Sequence, residues 1–278
     1  MLSPKPVVDT NVFIGGGTTP VHMVEAFAVA SGKGGTGKTT STLALGMALS
    51  EEYDVTVVDA DMGMANLLFH ADLEAVETTL HDVLVDGGAP VEAAVYERHG
   101  LSVVPCGTSL ADFAAADPTR LRDVVATLAA DTDVILLDSA ATLSSRAAVL
   151  PVVLADRVVV VLEPTIPSLS DGLKVQEYAT SYDTGTAGIL FNKVRDDDAI
   201  ARIAPKAERY FEGPTLATVP ESHEVRAARR AGRPLLAHAP ASEAAAAYRE
   251  AVRTLDVRDG DSGTVADRFR SAVVPESP

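Results

Sequence analysis

The stretch SGKGGTGKTT, residues 31–40, limits what this chain can fold into more than any other segment. It follows a short apolar run, residues 26–30, and leads into a helix-compatible stretch, residues 39–49. Gly32, Gly37, Lys38 and Thr39 fill the pattern GxxxxGK[ST], which works only between a strand and a helix. Glycines let the backbone approach an anion closely, and successive N–H groups at a helix N-terminus form a cradle for phosphate. Gly34, Gly35 and Thr36 complete that cradle. Lys38 is placed to reach β- and γ-phosphates, Thr39 to ligate Mg²⁺ through its hydroxyl, and Thr40 to bond an α-phosphate. A second lysine, Lys33, lies five residues before Lys38, where the pattern does not ask for a cation.

The rest of the chain supplies the sheet that such a loop requires. Apolar, β-branched runs recur at residues 26–30, 55–58, 101–104, 134–137, 158–162, 188–191 and 216–219. Helix-like stretches lie between and after them, at 39–49, 120–129, 145–154, 200–210 and 241–255. Nearly continuous apolar strands imply burial on both faces. The expected fold is α/β: a doubly wound, mostly parallel sheet with helices on both faces, in one domain over residues 23–256. No internal repeat is visible.

Composition excludes several classes. The formal net charge is −16, and the 23 basic residues are 17 Arg and 6 Lys. An acidic, Ala-rich, Lys-poor chain has the composition of a protein from a high-salt cytoplasm. It is poorly suited to non-specific nucleic-acid binding, which needs a cationic surface. The single cysteine, Cys106, rules out a disulfide framework or a cysteine-ligated cluster within one chain and reads as a small buried hydrophobe. The six histidines are scattered, without metal-binding spacing. No apolar run has transmembrane length and the N-terminus lacks the order of a signal peptide, so a cytoplasmic location is expected.

KGGTGKTT, with its extra lysine, resembles the deviant Walker A loop, KGGxGK[ST], of the MinD/ParA ATPases. The resemblance extends from about Met23 to Leu255. It implies that ATP and Mg²⁺ bind, that ATP joins two copies face to face, and that Lys33 touches the nucleotide of the other copy. A cation arriving in trans would stabilise charge developing between the β- and γ-phosphates. VVDADMGMANL, residues 57–67, is similar to the family's second strand and first switch. There Asp59 would support Mg²⁺ and the loop, and Asp61 would orient the attacking water. Gly63 and Asn66 fit the MinD version of this segment rather than the Asp-Pro-Gln of ParA proteins. VILLDSAAT, residues 134–142, resembles the Walker B strand and second switch, with Asp138 holding a Mg²⁺-bound water. Ala140 and Thr142 replace the family's Pro and Gly, which implies slow hydrolysis or altered switching.

Four further segments carry the resemblance onward. Asn192, in LFNKV, would read the adenine edge with its amide. Pro220 and Glu221, in VPES, would close over the base. Pro164, Ser168 and Asp171 fall at MinD-like places in a region that, in the family, meets the partner subunit and regulators. Arg226, Arg229, Arg230 and Arg233 form either a solvated helix face or a partner or DNA surface.

Residues 1–22 carry three prolines and a Gly-Gly-Gly run and read as an extension, with Met23 where a compact domain would begin. That placement fits a flexible extension or a start codon assigned too early. Residues 257–278 read as a detached tail, disordered or a short amphipathic helix on Val265, Phe269 and Val273. A membrane-anchoring role for it is weakly supported, because the segment is short and carries Asp267. The expected function is a MinD-like spatial switch that positions division, motility or sensory machinery together with a regulatory or cargo protein. It would act in the cytoplasm, at the membrane periphery or at the cell pole. The alternatives are a ParA-like DNA-partition ATPase and an ATP-binding dimeric scaffold with little hydrolysis.

Overall fold

In the computed structural model, residues 24–258 and 260–272 are described. The expectations for residues 1–22, Met23 and Val273 lie outside them. Eight strands form one sheet: β1 (Glu25–Ala30), β2 (Val55–Asp59), β3 (Tyr96–Arg98), β4 (Leu101–Val104), β5 (Val134–Asp138), β6 (Arg157–Leu162), β7 (Gly185–Val194) and β8 (Thr215–Pro220). Their order is β3-β4-β2-β5-β1-β6-β7-β8, and every pairing is parallel except β3 with β4. All seven apolar runs of the sequence are strands.

The first helices are α1 (Lys38–Leu49), α2 (Leu67–His70), α3 (Leu80–Val83), α4 (Leu110–Ala115), α5 (Leu121–Leu128) and α6 (Arg146–Leu154). They are followed by α7 (Ile166–Ser181), α8 (Asp197–Phe211), α9 (His223–Arg230), α10 (Leu235–His238), α11 (Glu243–Thr254) and α12 (Ser262–Ser271). The strands divide their side chains between two covered faces, as a period of two demands. Phe27, Val29, Val57, Val159 and Val161 pack with α1, α10 and α11. Ala26, Val58 and Ile135 face α3, α5, α6 and α12, and Ala28, Val158 and Val160 face α7 and α8. Helix α1 is buried nearly all round because α11 covers it. Within that contact Ser41 Oγ and Tyr248 Oη meet at 2.9 Å, and burial raises the Tyr248 phenol to about 12.

Strand β3 was not visible as an apolar run because it is an exposed, polar edge strand, residues 96–98 reading YER. Its signal was the turn. His99 (φ 54°) and Gly100 (φ 77°) both adopt left-handed conformations, as a two-residue hairpin turn requires.

The reading of residues 257–278 as a detached tail is corrected for its described part. The segment runs along the amino ends of β1 and β6, opposite the phosphate loop. The Val24 N–H donates to the Gly260 carbonyl at 2.8 Å. Helix α12 then buries Val265 and Phe269 beside α5. Arg268 pairs with Asp156 at 2.8 Å and stacks over the Phe269 ring. The apolar stripe that suggested a membrane surface is therefore spent on the core. Beside it, Arg157 forms a two-pronged pair with Glu25 at 2.7 and 2.9 Å and also donates to the Asp256 carbonyl. Glu25 in turn accepts from the Arg258 N–H at 2.6 Å.

Because Phe269 is fully buried, Phe269→Ala is expected to lower stability by about 3–5 kcal/mol, as emptied aromatic sites do. Thermal unfolding of the full chain, followed by circular dichroism, measures this. A loss below about 1 kcal/mol would mean that α12 is not docked in solution.

Candidate functional site

The site lies at the carboxyl ends of β1, β2 and β5, where β1 stands between strands that follow it in opposite directions across the sheet. Crevices of this kind are where open α/β sheets bind ligands. β1 runs directly into the loop of residues 31–37, and α1 begins at Lys38. The loop's shape needs its glycines at two positions above all. Gly37 has φ 100°, and a Cβ there would fall 2.2 Å from Asn192 Nδ2. A Cβ on Gly32 would fall 1.8 Å from the Asp171 carbonyl oxygen, because α7 lies against the loop.

Under the loop is a small polar core. Lys38 is 7% exposed and its Nζ donates to Ser31 Oγ at 3.2 Å, while Thr36 Oγ1 donates to the same oxygen at 3.0 Å. Desolvation lowers the Lys38 pKa, and Asp138 and Asp61 oppose that shift. Asp59 and Asp138 end neighbouring strands as a registered pair, Asp59 opposite Asp138. Both are fully buried or nearly so, and burial pushes both carboxyls up, Asp138 to about 6 and Asp59 well above its ordinary value. Asp138 accepts from Thr42 Oγ1 at 3.1 Å and bonds the Thr39 side chain. Asp59 Oδ2 accepts the Leu67 N–H at 3.2 Å, whereas its Oδ1 is buried without a partner. Asp61 is half-buried beside Lys38, with its pKa raised by desolvation and held back by that lysine.

These residues fit a Mg²⁺–nucleotide. Among the described residues, no group of three or more His, Cys, Asp or Glu is arranged to hold a metal. That suits Mg²⁺, which keeps several waters and takes its remaining ligands from phosphate and one or two side chains. The Thr39 hydroxyl, with Asp138 and the unpartnered Asp59 Oδ1 behind it, offers that arrangement.

Two cavities flank the loop. The larger, about 580 Å³, is lined by residues that include Asn192, Pro220 and Glu221. The smaller, about 290 Å³, holds Gly34, Lys38, Thr39, Asp61 and Asn66. Around this one loop, Asn192, Pro220 and Glu221 line the larger cavity and Lys38, Thr39 and Asp61 the smaller. Asn192 has a further task that the sequence did not reveal. Its Nδ2 donates to the Thr36 carbonyl at 2.7 Å and its Oδ1 accepts the Lys193 N–H at 2.9 Å, so the amide braces the loop from below.

Lys33 is not free. Its Nζ lies 3.3 Å from Glu163 Oε2, and Lys193 Nζ lies 2.9 Å from Glu163 Oε1. Partial burial works to raise the Glu163 pKa, but the two lysines outweigh it and hold the carboxyl below its ordinary range. Lys193 also donates to the Gly35 carbonyl, from a left-handed backbone with φ 56°. Neither Glu163 nor Lys193 stood out in the sequence, since nothing in local spacing links them to the loop. In the second switch, Thr142 Oγ1 and Ser144 Oγ meet at 2.9 Å. Thr142 is not among the left-handed positions, so this backbone conformation does not require the glycine that the sequence lacks.

A family model for the CobQ/CobB/MinD/ParA nucleotide-binding domain matches residues 27–235. An ATP-binding protein of Methanocaldococcus jannaschii is 37% identical over 231 residues, which span 82% of this chain and 86% of that protein. The septum site-determining protein MinD of Pyrococcus horikoshii, solved with Mg-ADP, superposes with a TM-score of 0.76 at 32% identity. That match covers 84% of this chain and 96% of the other. The cell division ATPase MinD of Pyrococcus furiosus gives 0.76 at 33% identity, over 84% and 98% of the two chains.

The unfolded chain ionises Asp138 near 3.8 and the folded chain near 6. Folding therefore favours the protonated acid, so stability from this group is complete below pH 4 and is lost as pH rises through 6. Without metal or nucleotide, Asp138→Asn is expected to be more stable than the wild type at pH 7.5, by roughly 1–3 kcal/mol, and to converge on it near pH 4. Denaturant midpoints at both pH values test this; an equal difference at both would refute it.

Proposed function

The chain belongs to the CobQ/CobB/MinD/ParA nucleotide-binding family, and on that premise we propose that it is a MinD-like ATPase acting as a spatial switch. The ATP-bound form pairs with a second copy and holds a partner assembly, at the division site or the cell pole. Hydrolysis returns it to the monomer. The observation that carries this reading is the two-lysine loop seated over Asp59, Asp61 and Asp138 at the carboxyl edge of the sheet.

Each residue has a definable task. The loop N–H groups and the start of α1 bind the phosphates. Lys38, desolvated and poised between Asp138 and Asp61, would exchange those carboxylates for the β- and γ-phosphates. Bound Mg²⁺ supplies neutralisation of the charge shared by the β- and γ-phosphate oxygens. Thr39 would ligate it, with Asp59 and Asp138 holding its waters. Asp61 would orient the attacking water, a positioning role that suits a carboxylate facing a developing negative charge. Lys33 would leave Glu163 and reach the nucleotide of the second copy. Pro220 and Glu221 would enclose the adenine.

The proposed setting is the cytoplasm. Since α12 has its apolar stripe in the core, attachment to the membrane periphery or cell pole would come through a partner protein. A net charge of −16 opposes the DNA-partition reading. Ala140 and Thr142 favour slow turnover, and in the limit a dimeric scaffold.

Light scattering in molar KCl with Mg²⁺ and a non-hydrolysable ATP analogue tests the switch, alongside phosphate release with ATP. The wild type is expected to double its mass with the analogue and not with ADP. Lys33→Ala should bind ADP normally yet stay monomeric, and Lys38→Ala should lose about 100-fold in nucleotide affinity. A wild type that remains monomeric with every nucleotide would sink the proposal. A dimer that forms without measurable phosphate release would leave the scaffold.

A further inference from the structure

The two cavities beside the phosphate loop share four lining residues: Gly35, Gly37, Thr40 and Arg229. Three belong to the loop or the first turn of α1. The fourth comes from α9, nearly 190 positions later in the chain.

Arg229 differs from the other arginines around it. Arg195 and Arg226 also line the larger cavity, but both are paired with Glu221: Arg195 through two contacts and Arg226 at 3.1 Å. Arg233 faces Asp72 at 3.9 Å. Arg230 lines neither cavity. Among the described residues, Arg229 has no carboxylate partner and no side-chain hydrogen bond, in a chain with 39 acidic residues. It is exposed, and His70 feels its charge: the His70 pKa is lowered by desolvation and then by Arg229. A guanidinium left unpaired at the lip between a nucleoside-sized cavity and a phosphate cradle has the geometry for a charge-assisted contact to an oxyanion.

We propose that Arg229 is a phosphate-binding residue acting within its own subunit, contacting the α-phosphate of the bound nucleotide from the side opposite Lys38. The α-phosphate expected at Thr40 would lie here, since Thr40 lines both cavities with Arg229 while Lys38 and Asp61 line only the smaller. The assignment rests on the nucleotide-binding reading of the site and adds a residue to it. Arg229 holds α9, and with it the wall formed by Glu221 and Ser222, against ADP and ATP alike. It takes no part in sensing the terminal phosphate.

Calorimetric titration of the full chain with Mg-ADP and with a Mg-bound non-hydrolysable ATP analogue, at 0.2 and 2 M KCl, tests the assignment. Wild type, Arg229→Ala, Arg229→Lys and Lys38→Ala are compared, with melting temperatures measured in parallel. Arg229→Ala is expected to bind both nucleotides about tenfold more weakly at low salt, by the same factor for each. Its affinity should depend less steeply on salt, its melting temperature should be unchanged, and lysine should restore part of the loss. Unchanged affinity for both nucleotides would overturn the assignment, as would a loss confined to the ATP analogue. A wild type that binds neither nucleotide would overturn the proposed function and this assignment together. Wild-type affinity in Arg229→Ala together with a loss in Lys38→Ala overturns this assignment alone.

Discussion

Two carboxyl groups buried side by side at the end of a fully covered parallel sheet set the terms for the rest of the molecule. Asp59 and Asp138 have helices on both faces and apolar strands behind them, so water cannot stabilise their charge. They must stay protonated, pair with Lys38, or meet a cation that enters from the open edge. Thr42 and Thr39 bond Asp138, the Leu67 N–H bonds Asp59, and the second oxygen of Asp59 remains unpaired. A Mg²⁺–phosphate group entering there would let both carboxyls ionise against a cation. The loop above it is braced rather than loose, with Ser31, Thr36 and Asn192 bonded into it. Little structure has to form when the ligand arrives, so little ordering entropy is lost on binding.

The same restraint extends to Lys33. Glu163 gathers Lys33 and Lys193 onto a single carboxylate, and Lys193 also reaches back to the loop. Within its own chain the extra lysine of the loop is therefore already paired. In the proposed dimer, its transfer to another subunit would have to outcompete a local partner that lies far from the loop in sequence.

Much of this was legible before the structure. The seven apolar runs became seven strands because burial on both faces leaves an unbroken hydrophobic record. The loop, Asp59, Asp61 and Asp138 were readable because each ends a strand or comes just after one, so that sequence position fixes spatial position. What could not be read depends on residues meeting from distant parts of the chain. β3 is polar because it lies at an exposed edge, and only His99-Gly100 announced it. The stripe of Val265 and Phe269 was visible, but periodicity does not say whether a helix faces a bilayer or its own domain. Arg229 belonged to a basic cluster with two readings, and only the pairing of Arg195 and Arg226 with Glu221 singles it out.

The knot at the base of the sheet ties the two ends of the domain together. Glu25 closes its hydrogen bonds with Arg157, which also bonds the Asp256 carbonyl, and with the N–H of Arg258, 233 positions later. β1 is both the strand that carries the phosphate loop and a strand at the middle of the sheet. In order of synthesis the central strand comes first, the Arg157 partner of its carboxylate midway, and the Arg258 N–H that completes the set nearly last. The strand that leads into the phosphate loop is thus tied at its other end to residues 256 and 258, so a chain ending before residue 256 would keep the Arg157 pair but lose the Arg258 N–H that Glu25 accepts from and the carbonyl that Arg157 donates to.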